Sequence, residues 1–466
     1  MFPNVKTAQL NEGDEHMQAL EQSKARGEVR DCASATGCAD GFLERRAIGR
    51  ATKRLVPFIL LCYFIAYLDR TNIGIAALQM NKDIGITASQ FGFGAGLFFL
   101  MYCSMEVPSN VLMTRFGVRR WVARIMLTWG VVAAGMAFVK GANSFYTMRA
   151  LLGLAEAGFF PAMLYYLTTW FPTAYRGRAI SYLQVAGPMS FLIGAPISSA
   201  LLGFDGHLGL RGWQWMFILE AVPAILLAGL VLFMLPDDPK SAKWLSPDEK
   251  NWLTSKLAAE EKQRTDVREY TVIEAMLEPR VLLLALVHFN LVLSVYGVGF
   301  FLPQIVKGFG LDNFHAGLVS TIPYVAGCAG IIWLGRRSDA KKERRMHTAV
   351  PLMVAAAALI VAATTQTLAV KMVAFSFVAF GAYGCVSAFW TLPSTFLSGA
   401  AVAGAIAIIN CIGALGGFAG PWVMGLVKDA TGSFSGGLFF LALMDVIAVA
   451  IIFSLSSLRE QHGHMA

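Results

Sequence analysis

Apolar stretches of near twenty residues recur along most of this chain, separated by short polar connections. Six run at 55–78, 89–113, 121–139, 145–170, 178–203 and 213–235. A polar stretch follows at 236–279, and six more runs lie at 281–304, 314–335, 348–367, 371–395, 400–427 and 436–457. A helix needs about 20 apolar residues to cross the hydrocarbon core of a bilayer. The pattern therefore predicts an all-α polytopic membrane protein of about twelve transmembrane helices in two groups of six.

The polar segments divide the chain. Residues 1–50 are charged, lack the apolar core of a signal peptide, and read as a disordered cytoplasmic tail. Residues 51–235 and 280–458 form the two six-helix bundles, 236–279 the linker and 459–466 a short tail. In the linker, Ser246 precedes Pro247, with Asp248 and Glu249 in the next turn, which is a capped helix start. The basic loops SNVLMTRFGVRR and GRRSDAKKERR hold the same place in each half. That placement fits a repeat about a pseudo-twofold axis along the membrane normal.

Composition supports this reading. Of 466 residues, 15% are charged and 56% hydrophobic, with a mean hydropathy of +0.57; soluble chains carry about 25% charged residues. The net charge of +8 is no sign of nucleic-acid binding, because the basic residues gather in alternate short loops. Arg45, Arg46, Arg50, Lys53 and Arg54 precede the first helix, and Arg115, Arg119, Arg120 and Arg124 follow the second. Arg336, Arg337, Lys341, Lys342, Arg344 and Arg345 follow the eighth. The positive-inside rule then places both termini and the linker in the cytoplasm, with the chain in the inner (plasma) membrane. Of the seven scattered cysteines, Cys62, Cys103, Cys328, Cys385 and Cys411 sit in apolar runs and read as small buried hydrophobes, while Cys32 and Cys38 lie in the polar tail with no partner His or Cys pair for a metal. GFGAGLF lies within an apolar run with no strand before it, and reads as helix-packing glycine. No P-loop, HExxH, CxxC or nucleophile–base cluster occurs in the sequence. We expect no enzyme, metal or cofactor, and an ion gradient as the energy source.

Ionisable groups within apolar runs are the candidate chemistry, since each costs about 2.5–3.5 kcal/mol at a helix centre. They are Asp69 and Arg70 in helix 1, Glu106 in helix 2, Arg149 and Glu156 in helix 4, Glu220 in helix 6, His288 in helix 7 and Asp445 in helix 12. Tyr67 shares a face with Arg70, and a guanidinium beside a phenol makes a carboxylate clamp. Arg149 and Glu156 lie two turns apart, able to line one cavity. Glu156, in an apolar and glycine-rich surround, suits a proton carrier because desolvation penalises its charged form. Glu106, Glu220 and Asp445 read as structural, and His288 as a core residue more than a relay. Tyr296, Tyr324, Trp390 and Asn410, with Asn290, Gln304 and Thr391, offer hydrogen bonds and walls from the second half.

The motifs YLDRTNIG, EVPSN, RFGVRRW, RALLGLAEAGFFPA, GWQWMFILEAVPA, LPDDPKSAKWLSPDEK and GFAGPWVMGLVKDATGSF resemble the major facilitator superfamily, specifically its anion:cation symporter group, over about residues 50–458. Bacterial tartrate, phthalate and hydroxyphenylacetate permeases are similar, galactonate transporters more distantly. The resemblance implies rocker-switch import of a small organic anion with a proton. It assigns Arg70 to the substrate carboxylate and Asp69 and Glu156 to proton coupling; Arg149, Tyr67 and Asn410 match further site positions. One departure is IGALGG, where relatives often have IGNLGG; Ala414 removes an amide from helix 11. Gln184 does not align with the substrate-binding glutamine of helix 5. The expected partners are a small organic anion, protons and the bilayer, with the protein monomeric. An anion exchanger or efflux transporter on the same fold, or a non-transporting receptor, stays open as the alternative.

Overall fold

The computed structural model describes residues 8–265, 278–393 and 400–463. Part of the expected linker (266–277) and the extreme termini lie outside these. The N-terminal half comprises α1 (Ala8–Asp83), α2 (Ala88–Phe116), α3 (Val118–Gly135), α4 (Ala142–Glu156), α5 (Phe159–Trp170), α6 (Thr173–Gln184), α7 (Ala186–Leu201) and α8 (Gly212–Met234). After α9 (Pro247–Thr265) comes the second half: α10 (Pro279–Lys307), α11 (Asn313–Val319), α12 (Ile322–Lys341), α13 (Met346–Thr364), α14 (Leu368–Gly384), α15 (Val386–Phe389), α16 (Ala400–Thr431) and α17 (Ser435–Gly463). Among the described residues, twelve helical spans are long and apolar enough to cross a membrane. Their outward faces stay apolar, as at Phe233, Leu226, Val373 and Leu443, which a lipid surround requires.

Two expectations about the tails give way. Residues 8–50 are helix continuous with the first span rather than disordered chain. They contain no proline and many good helix formers, so an established helix extends through them without a new nucleation step. The last helix likewise continues past 458 to Gly463.

The halves meet along α2 against α16 and α1 against α10. A Cβ on Gly92 would stand 2.1 Å from Pro421 O, and one on Gly425 2.2 Å from Ala88 O. Backbone-to-backbone approach of this kind is the use membrane helices make of small residues, and it accounts for Gly92 and Gly96 of GFGAGLF, while Gly94 leaves room for the Phe145 ring. Polar contacts close the same end. Asp429 accepts from the backbone N–H of Ala88 (3.1 Å) and Ser89 (2.8 Å) at the start of α2, where helix N-termini attract anions. Lys307 Nζ donates to Leu78 O at 2.9 Å. The end of the bundle far from the linker is therefore sealed.

At the other end, α9 docks on the N-terminal half. Ser246 and Glu249 form the expected reciprocal cap, Ser246 N donating to Glu249 Oε2 at 3.0 Å and Glu249 N to Ser246 Oγ at 3.4 Å. Glu249 is fully buried and pairs with Arg50 (2.7 Å) and Arg46 (3.4 Å) of α1.

Candidate functional site

Tyr63, Tyr67 and Arg70 recur at i, i+4 and i+7 on α1 and so share one face. That face meets the C-terminal half at a cavity of ≈ 170 Å³. The wall includes Tyr63, Tyr67, Arg70, Phe99, Tyr102, Phe160 and Phe191 from the first half. His288, Tyr296, Tyr383, Trp390, Asn410 and Ala414 come from the second. The cavity lies on the linker side of Arg70, opposite the sealed end.

Arg70 is the charge centre. Its Nε donates to Glu156 Oε1 at 2.6 Å, and its Nη2 lies 2.6 Å from the same oxygen. The rings of Tyr102, Tyr67 and Phe98 stand 4.9, 5.3 and 5.3 Å from the guanidinium. The two partners differ in access: the Arg70 side chain is 10% exposed at the cavity, Glu156 0%. Glu156 sits behind the arginine, and its Oε2 has no hydrogen-bond partner.

The position of Glu156 comes from a break in the fourth span. α4 ends at Glu156; Ala157 turns to φ −55, ψ 135, and Gly158 adopts φ +86 before α5 begins. Pro161 causes it. A proline ring clashes with the carbonyl four residues earlier and offers that carbonyl no N–H, here Ala157. Ser109 Oγ of α2 supplies the missing donor to Ala157 O at 2.7 Å.

The other sequence candidates divide. Tyr67, Tyr296, Trp390 and Asn410 line the cavity with Arg70. Arg149 and Asp69 do not: both are buried, Arg149 donating to Ala95 O at 2.9 Å and Asp69 accepting from Trp129 Nε1 at 2.5 Å. The expectation that Arg149 and Glu156 line one cavity therefore fails, because both turn into the packing between α2, α3 and α4. Tyr324 lies outside the wall; it stacks on Phe191 of the other half, centroids 4.3 Å apart and planes at 8°, between the cavity and the sealed end. Asn410 Nδ2 donates across the halves to Glu106 Oε1 at 3.1 Å, so Glu106 joins the site. Glu220 holds Asn72 (2.8 Å) and Ser198 (2.6 Å) as a structural anchor. Asp445 accepts from Ser294 at 2.8 Å. His288 stacks on Phe389 (5.3 Å, 15°) and lines the cavity; Asn290, Gln304 and Thr391 are absent from the wall. Of Gln184, only the backbone is described. Tyr63, Phe99 and Tyr102 were not among the sequence candidates, although the spacing of Tyr63 from Tyr67, and of Phe99 and Tyr102 from Glu106, places them on the same helix faces.

The sequence pattern of the Major Facilitator Superfamily matches residues 59–421. The chain belongs to this superfamily. A protein of Agrobacterium vitis named "Putative tartrate transporter" is 44% identical, over 90% of this chain and 97% of its own. A "Quinolone resistance transporter" of Acinetobacter baumannii is 39% identical, over 88% and 95%. A solved bacterial homologue of the human lysosomal transporter Spinster, inward-facing and unoccupied, superposes with a TM-score of 0.73 at 16% identity, over 86% of this chain and 96% of that one; this last likeness is one of fold. As a member of the Major Facilitator Superfamily, the chain is a multi-pass membrane transport protein and not an enzyme, and the resemblance to tartrate-type permeases read from its motifs agrees with the named relatives.

Proposed function

We propose that this transporter carries a small organic anion into the cell together with a proton, by alternating access to the Arg70 cavity. The observation behind this reading is the pairing of Arg70 with Glu156, in which one guanidinium faces the cavity and holds a carboxylate behind it. A substrate carboxylate and Glu156 then compete for the same donors. Protonating Glu156 releases Arg70 to take the anion; losing that proton pulls Arg70 back and expels it. We place the proton on Glu156 rather than Asp69, because Asp69 is held by Trp129.

The same pair accounts for coupling. Taken as a pair, Arg70 and Glu156 are neutral together when the site is empty and deprotonated. The fully loaded site is neutral too, with the proton on Glu156 and the anion on Arg70. A site holding only the proton or only the anion keeps one uncompensated charge, which costs several kcal/mol in a closed, dry interior. Only the empty and the fully loaded carrier change face. With the linker in the cytoplasm, this conformation is inward-facing and awaits reloading, and the protein sits in the inner membrane with the proton gradient as its only energy source.

The test is proteoliposomes with a pH-sensitive dye in the lumen. Adding an accepted carboxylate outside should acidify the lumen, and an imposed gradient, acid outside, should drive accumulation. Accumulation indifferent to the gradient refutes proton coupling and favours the exchanger reading.

A further inference from the structure

From the charge and ring content of the cavity we infer that the transported species is an aryl monocarboxylate, taken in preference to a dianionic hydroxy acid. The inference rests on Arg70 as the anion clamp, and names what that clamp accepts.

The first support is a count of cations. Among the described residues of the wall, Arg70 is the one arginine or lysine; Arg149 is the other buried arginine of the N-terminal half beside it. Arg149 is 1% exposed, donates to Ala95 O, and lies over the Phe98 ring. It is closed off from the cavity by the packing of α2 on α4. The side chains not described at 181, 182, 184 and 394–403 include no lysine or arginine, and Arg178, likewise not described, precedes the membrane span Ala186–Phe204. One guanidinium therefore faces the substrate, and a second carboxylate would be held among rings without a countercharge, at a cost of several kcal/mol. The neutral loaded state argued above also closes for one negative charge and leaves a dianion with an excess of one.

The second support is the wall itself. Nine of its 21 described residues carry phenyl, phenol or indole rings, among them Phe99, Phe160, Tyr383 and Trp390. The amide of Asn410 is engaged with Glu106, and position 414 is alanine. The described wall thus offers broad ring faces, five of them carrying a phenol hydroxyl, and a single side-chain amide, which Glu106 already engages. Its size agrees: a cavity of about 150 Å³ is enough for a benzene ring, and this one measures ≈ 170 Å³.

Among the described wall residues His288 is the one other group able to carry positive charge; it stacks on Phe389, and no described wall residue is a carboxylate.

The test is binding to the purified full chain in lipid nanodiscs at one neutral pH, by calorimetry, with four probes: phenylacetate, phthalate, tartrate and benzyl alcohol. The inference expects phenylacetate to bind at least tenfold more tightly than tartrate or phthalate, and this preference to vanish in Arg70→Gln while His288→Gln keeps the rank order. Tartrate or phthalate binding as tightly as phenylacetate overturns it while leaving Arg70 as the clamp; if that tight binding is lost in His288→Gln, the histidine is the second cation. Failure of both aryl acids to bind a folded protein overturns it as well. Benzyl alcohol binding as tightly as phenylacetate overturns instead the reading of Arg70 as an anion site.

Discussion

Replacing Glu156 by glutamine separates substrate binding from proton coupling. On the proposed mechanism, the carboxylate of Glu156 and the substrate compete for Nε and Nη2 of Arg70, both 2.6 Å from Glu156 Oε1. Where Glu156 is ionised in the empty protein, anion binding must take up one proton. Affinity then falls about tenfold for each unit of rising pH, or about 1.4 kcal/mol, and about a hundredfold between pH 6 and pH 8. Glutamine has nearly the same shape and no charge to compete. In Glu156→Gln the anion meets an unpaired guanidinium, so binding becomes tighter at high pH and nearly flat across that interval, within about threefold. Transport changes in the opposite sense. With one proton per anion, a gradient of one pH unit supports at most about tenfold accumulation; the variant should exchange labelled for unlabelled anion and accumulate none. Calorimetry at several pH values and counterflow in proteoliposomes are the two assays. A variant whose affinity keeps the native pH slope, or which still concentrates anion against its gradient, shows that the proton binds elsewhere and refutes the competition.

Four further outcomes follow from the same geometry. Phe191→Ala or Tyr324→Ala removes a ring pair worth about 0.5–1.5 kcal/mol, so a cysteine placed at Ala414 in the cavity wall should react about two- to tenfold faster with an impermeant maleimide from the sealed side; unchanged labelling sinks the view that this stack separates the cavity from that side. Gly158→Ala puts a Cβ 2.1 Å from Ser109 Oγ at φ +86; it should cost at least about 1–2 kcal/mol of stability, with Ser109→Ala restoring part in a thermal-unfolding double-mutant cycle, and full additivity would deny the contact. At Glu249 burial opposes the charge, but the Ser246 amide with Arg50 and Arg46 outweighs it and holds the carboxyl below its usual range; docking of α9 is then fully present above the ordinary glutamate range and lost as pH falls through the lower folded value, and Glu249→Gln should speed hydrogen exchange in α9 at neutral pH. Ala414→Asn returns an amide to the wall and should shift preference toward hydroxylated acids by about 1 kcal/mol, read as the ratio of gluconate to phenylacetate affinity.

The fold was legible because a membrane span announces itself by length and hydropathy alone, and the positions of the runs follow the described spans closely. Arg70 with Tyr67 was legible for a similar reason: charge deep in an apolar helix is costly, and i, i+3 spacing fixes which neighbour shares its face. What hydropathy could not separate was depth around the helix axis. Arg149 and Glu156 are seven residues apart, which fits a common cavity face equally well as a common buried face; the break at Ala157 and the packing of α2 decide between them. That break had a signal, Gly158 and Pro161 in one short stretch. Tyr324 failed for another reason: whether a ring near the midplane lines a cavity or stacks on the opposite half depends on the partner, here Phe191, which a single helix does not reveal. The helix over residues 8–50 was missed because polarity was read as absence of structure, although polarity excludes burial and not helix.

The ionisable groups are distributed unequally, and the distribution bears on how one fold serves many anions. Asp69, Arg70, Arg149, Glu156 and Glu220 are all buried in the N-terminal half. The C-terminal half places His288, Tyr296, Tyr383, Trp390 and Ala414 in the wall, with no carboxylate among them. A proton switch requires fixed geometry: a shift of a few tenths of an ångström in the Arg70–Glu156 pair changes which carboxylate wins. On the proposed mechanism, confining that pair to one half would keep its geometry unchanged while the halves rock. On the same mechanism, substrate shape would be read at the seam, by side chains of the other half that meet no member of the pair through a salt bridge. Substitutions at the C-terminal wall can therefore alter which anion is accepted without touching the proton step, and the rule of one charge on Arg70 survives them.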